Sequence, residues 1–165
     1  MTKARKTAML GKAASRRHGQ ASLAQKRRLQ AIFQHGPAAA TEQAARQLIG
    51  RFPQEGYAWK VLGIALQQQG RLSDALTALQ QAVALWPEDA ETHSNLGQAQ
   101  WLAGHTEAAE ASLRAAIALS PQNFALLNYL GGFLKDQGRY AESEPLIRRA
   151  LALKPGILLM DEPFS

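Results

Sequence analysis

Between residues 56 and 157, apolar residues recur three and four apart, in short runs broken by glycine or proline. That spacing predicts a series of short helices, each with one apolar stripe. The breaks are regular: Gly70, Gly104 and Gly138, then Pro87, Pro121 and Pro155, each set spaced by 34 residues. Segments 56–89, 90–123 and 124–157 align without gaps. Leu62-Gly63, Leu96-Gly97 and Leu130-Gly131 recur in phase. So do Ala75, Ala109 and Ser143, then Leu79, Leu113 and Ile147, then Ala82, Ala116 and Ala150.

Each recurring residue has a physical role in a pair of helices. Gly63, Gly97 and Gly131 remove a side chain where two helices cross. Gly70, Gly104 and Gly138 stop the first helix in the left-handed conformation that glycine tolerates. Ser73 and Thr106 are candidate N-caps of the second helix, and Asp89 and Asn123 of the helix that follows the proline. Residues 22–55 read as a weaker unit. Counting back 34 from Pro87 gives Pro53, and Leu29, Ile32, Gly36 and Leu48 fit that frame while Arg28 and Thr41 depart. Two helices are expected to meet near "HGPAAAT", with Pro37 in the linker or at a helix start.

This pattern resembles the tetratricopeptide repeat, a 34-residue helix–turn–helix unit. In 56–89, Trp59, Leu62, Gly63, Leu66, Gly70, Ala75, Leu79, Ala82 and Pro87 all match. The second unit has His93 in place of Trp59, and Gln100 where an aromatic or apolar residue is usual. The resemblance implies an all-α fold, an α-solenoid in which stacked repeats build one core. It also implies a protein-interaction scaffold that holds a protein or peptide in a concave groove lined by the first helices. The candidate groove residues are Tyr57, Lys60 and Ile64, then Glu91, Ser94, Asn95, Gln98 and Trp101, then Asn128, Tyr129 and Lys135.

Two narrower modes fit these positions only in part. A carboxylate clamp for acidic C-termini is met by Lys60 and Asn95 but not by Ile64, Ala125 or Tyr129. An asparagine ladder before each Leu-Gly has one rung, Asn95, between Val61 and Tyr129. The wording "LIGRFPQEGYAWKVLGIALQQQGRLSDAL" with "ETHSNLG" resembles the N-terminal repeats of bacterial O-GlcNAc-transferase-like (SPINDLY-like) proteins. That likeness implies a recognition arm without the enzyme, since the chain is too short to contain the glycosyltransferase domain.

Charge divides the chain. Nine of its 19 Lys+Arg lie in residues 1–28: Lys3, Arg5, Lys6, Lys12, Arg16, Arg17, Lys26, Arg27 and Arg28; the first acid is Glu42. The net charge of +6 therefore belongs to a basic arm, 1–21 and its continuation, expected to be disordered. Such an arm can tether nucleic acid or an anionic membrane. It has no aromatic residue before Phe33, so it offers no base-stacking platform.

The tail, 158–165, leaves the repeat phase. "ILLMDEPFS" resembles the Walker B segment of ABC-transporter ATPases, which would make Asp161 the metal-associated acid and Glu162 the base. Phosphoryl transfer also needs a phosphate-cradling loop and its lysine. The nearest stretch, "GKAAS", has Lys6 where the first glycine belongs and Ala13 where Ser or Thr must stand. No ATPase, or any other enzyme, is expected. The four histidines lack metal-ligand spacing and the chain has no cysteine, so neither metal nor cofactor is expected. With no apolar run of membrane-spanning length and no secretory signal, a cytoplasmic location is expected.

Overall fold

The computed structural model describes residues 20–153. The described residues form eight α-helices and no strand. They divide between Leu85 and Trp86 into two compact units. The first contains α1 (Leu23–His35), α2 (Ala38–Arg51), α3 (Gly56–Gln68) and α4 (Leu72–Leu85). The second contains α5 (Ala90–Leu102), α6 (Thr106–Leu119), α7 (Phe124–Asp136) and α8 (Tyr140–Leu153). The second helix of every pair starts 34 residues after its predecessor, in the weak first repeat as in the others.

The glycines do what the sequence asks of them. Gly70, Gly104 and Gly138 have φ of 75°, 80° and 74°, and no other described residue is left-handed. A Cβ on Gly63 would lie 2.5 Å from Leu79 Cγ, on Gly97 2.9 Å from Leu113 Cγ, and on Gly131 2.6 Å from Ile147 Cγ1. Each helix pair therefore closes over a missing side chain.

The first pair solves the same problem differently. Gly36 is extended, at φ −98° and ψ 164°. It precedes Pro37, and the proline ring disfavours helical or tight-turn geometry in the residue before it. Pro37 then stands at the N-cap of α2. Ala45 occupies the position of Leu79, Leu113 and Ile147, while Leu29 is the buried residue of α1. The bulk has moved from the second helix to the first.

Helix starts correct part of the expectation. Asp89 accepts from Thr92 N at 3.0 Å, and Asn123 from Ala125 N at 3.0 Å, so both cap as expected. Ser73 and Thr106 do not cap. The Ala75 and Ala109 amides donate to the carbonyls of Arg71 and His105, so each helix has already begun at the preceding turn. Ser22 caps α1 in a reciprocal box with Gln25.

Ring nitrogens fasten the proline that closes a repeat. Trp59 Nε1 donates to the Pro53 carbonyl at 2.8 Å, and His93 Nε2 lies 2.9 Å from the Pro87 carbonyl. His93 thus performs the tryptophan's polar task, which explains its place in the second aligned segment. Leu127 has no such group, and Arg149 donates to the Pro121 carbonyl from α8 instead, at 2.8 Å.

Each unit has its own core. In the first, Leu29, Val61, Leu62 and Leu66 pack with Ala45, Ala58 and Ala75, with Phe33, Tyr57 and Trp59 at the margin. In the second, Leu113, Leu130, Phe133 and Leu134 pack with Ala109, bordered by Trp101, Ile117 and Leu146.

Candidate functional site

The candidate residues lie on first helices of their pairs, and burial sorts them. On α3, Lys60 is 6% exposed with Nζ 5.8 Å from the Tyr57 ring centroid. Its charge is directed along the protein's own surface, away from an open groove. Tyr57 and Ile64 are half-buried.

On α5, Ser94 is buried, Asn95 and Gln98 are half-buried and Glu91 is exposed. Gln98 Nε2 reaches Ser94 Oγ at 3.4 Å. Trp101 meets Phe133 edge to face, ring centroids 5.6 Å apart, and so borders the core. On α7, Asn128 and Tyr129 are exposed, and partial burial raises the Tyr129 hydroxyl above its ordinary pKa. Lys135 is exposed but lines a different depression, with Tyr140 and Ile147.

Asn95 stands out. Its Nδ2 is shielded from solvent without a hydrogen-bond acceptor, alone in this among buried side-chain polar atoms of the described residues. The polar neighbours are otherwise satisfied: Gln100 accepts from Ser112 at 2.7 Å, and Thr92 is held by Asp89. An orphaned amide donor costs on the order of 1–3 kcal/mol, which a ligand carbonyl would recover.

The basic residues grouped with the arm divide in two. Lys26, Arg27 and Arg28 lie on α1, and Lys26 pairs with buried Glu55 at 2.8 Å. Helical capping by Ser22 ends the arm earlier than the charge run suggests. Lys3, Arg5, Lys6, Lys12, Arg16 and Arg17 lie outside the described residues, as do Pro155, Asp161 and Glu162.

A second polar feature escaped sequence reading: a charge cluster that recurs at 68 residues, twice the repeat. Glu42 pairs with Arg46 at 2.9 Å and with Arg71 at 2.8 Å, and Arg71 also holds Asp74 at 2.6 Å. In the second unit Glu110 pairs with Arg114 at 2.7 Å and with Arg139, which holds Glu142 at 2.8 Å. Each cluster joins the second helix of one pair to the turn of the next. At the intervening phase the chain has Leu76, Gln80 and His105.

The hydrogen bonds from Arg46 and Gln69, then Arg71, hold Glu42 down at about 2, against an ordinary 4.5. Arg139 first, then Arg114, lowers Glu110. A carboxylate with a depressed folded pKa contributes its full stability above the unfolded pKa and loses it as pH falls through the folded one. The urea midpoint should therefore fall between pH 4.5 and 2. Glu42→Gln should flatten that slope, removing on the order of 1–2 kcal/mol after solvent screening. An unchanged slope in Glu42→Gln would exclude Glu42 as its source.

Comparison with known proteins agrees with this geometry. The family model for the tetratricopeptide repeat matches residues 31–90, 60–124 and 94–156, which together span well over half of the chain. The chain belongs to the tetratricopeptide repeat family. No curated protein matches it. Among solved structures it is similar to TTC0263, a thermophilic TPR protein of Thermus thermophilus. That match has 25% identity and a TM-score of 0.72, covering 91% of this chain and 82% of that one. It is also similar to MamA, at 22% identity and TM-score 0.68 over 85% of this chain and 79% of that one. MamA 41-end from Desulfovibrio magneticus RS-1 matches at 18% identity and TM-score 0.72, covering 84% and 76%. The MamA likenesses carry the fold, which is the all-α repeat solenoid class. No helix of the described residues is long and apolar enough to cross a membrane.

Proposed function

We propose that this protein is a protein-interaction scaffold whose second unit binds an extended peptide along the first helices, α5 and α7. The orphaned Asn95 amide carries this reading. An extended peptide offers backbone carbonyls without a partner, and one of them satisfies Asn95. Gln98 supplies a further amide, and exposed Asn128 and Tyr129 supply polar and flat apolar contact. Membership of a repeat family that forms open helical surfaces supports the same reading.

The test is a peptide selected from a displayed random library on the full chain, followed by titration calorimetry. Asn95→Ala should weaken binding about tenfold, the value of one desolvated hydrogen bond. The free variant should unfold at no lower temperature, because it loses an unsatisfied donor rather than a bond. Equal affinity in Asn95→Ala would remove the proposal's support. Removing residues 1–19 should leave binding intact. Loss on that removal would transfer the interaction to the arm, as tethering to nucleic acid or an anionic membrane requires. The deletion stops before α1, because Lys26 is needed by Glu55.

A further inference from the structure

We propose that the outer face of α8 is a docking site for a helix–turn–helix repeat of another polypeptide, one with arginine in its turn. The proposal does not rest on the peptide-binding reading. It comes from comparing faces within the chain.

On α6, Glu110, Leu113, Arg114 and Ile117 occupy one face. That face is covered: Leu113 is 1% exposed and packs in one cluster with Leu130, Phe133 and Leu134 of α7, while Arg139 takes Glu110. On α8, 34 residues later, the same positions hold Glu144, Ile147, Arg148 and Leu151. The chemistry is repeated residue for residue: acid, aliphatic, arginine, aliphatic. Here the face is open. Glu144 and Arg148 pair at 2.6 Å with their side chains 69% and 79% exposed. A depression of about 460 Å³ runs over Ile147 and Leu151, beside Tyr140, itself 65% exposed.

The charged pair says what fits. Where Glu-x-x-x-Arg occurs on α2 and α6, the next turn carries Arg71 or Arg139, each bonded to that glutamate. Where it is absent, on α4, the next turn carries His105. Acid and turn arginine occur together or not at all. The α8 face therefore matches a repeat whose turn reads Gly-Arg. A second copy of this chain does not supply it at its first turn, where Pro37 occupies the arginine position. Residues 154–165 contain no arginine.

The probe is a labelled peptide of residues 124–153, the pair that already presents Arg139 to such a face, titrated into the full chain by fluorescence anisotropy. Saturable binding is expected. Glu144→Arg in the protein, or Arg139→Glu in the peptide, should each weaken it about tenfold. Combining the two reversed partners should restore it. Glu144 is exposed, and unchanged circular dichroism of the variant verifies its fold. Absence of binding at millimolar peptide, or binding indifferent to Glu144→Arg, would overturn the proposal.

Discussion

Phe133→Ala should destabilise the second unit by about 3–5 kcal/mol, the cost of deleting a fully buried aromatic ring. Phe133 is 0% exposed and is the largest fully buried side chain among the described residues. It stands where the two earlier repeats have Ala65 and Ala99, so one ring fills a space that the other pairs fill differently. Its loss also removes the edge contact with Trp101. Trp101→Ala should consequently lower stability as well as any binding, which makes Tyr129 the better residue for testing the peptide face. Chemical unfolding followed by tryptophan fluorescence reads both effects. A loss below about 1 kcal/mol in Phe133→Ala would show that the cavity collapses and that the ring is not central to this core.

Adjacent glycines on α7 should respond to alanine with opposite signs. At Gly131 the new methyl would meet Ile147 Cγ1 at 2.6 Å, a branch point close to the backbone that cannot swing away. Overpacking of that kind costs about 1–3 kcal/mol, and the helical preference for alanine returns less than that. At Gly132 nothing lies within 4 Å of the added Cβ. Alanine there should stabilise by about 0.5–1 kcal/mol through helix propensity alone. The bulk exchange seen in the first pair, with Ala45 in the second helix, indicates the remedy: Ile147→Ala should recover part of the loss in Gly131→Ala. Equal effects at the two glycines would contradict the close crossing of α7 and α8.

The sequence pattern revealed the repeats because their constraints are local. A left-handed turn demands glycine at 70, 104 and 138, and a close crossing demands it at 63, 97 and 131. Asp89 and Asn123 were readable for the same reason, since a cap acts within three residues. Ser73 and Thr106 misled because the hydroxyl type fitted a cap while the backbone turn at Arg71 and His105 had already started the helix. Gly36 matched by position, yet Pro37 changed its conformation.

The candidate site was less legible. Residue type placed Lys60 and Trp101 in a groove, whereas packing turns the first across Tyr57 and seats the second on Phe133. The orphaned amide of Asn95 depends on what surrounds it in space, which no spacing records. The charge clusters left a trace in the sequence, Glu-x-x-x-Arg followed by Gly-Arg, but their 68-residue period is hidden from a search tuned to 34. These clusters bind neighbouring pairs within each unit, and the third instance, on α8 without a turn arginine, is what makes that face readable.

The central claim, that a peptide lies along α5 and α7, is tested most directly by a photoreactive phenylalanine at position 129. It replaces an exposed tyrosine with a ring of similar shape. With the selected peptide bound, irradiation should join the peptide to position 129, and Asn95→Ala should reduce the yield. The same photoreactive residue at Ala111 or at Lys12 should give no product. Cross-linking at Lys12 or Ala111 with none at position 129 would contradict the account.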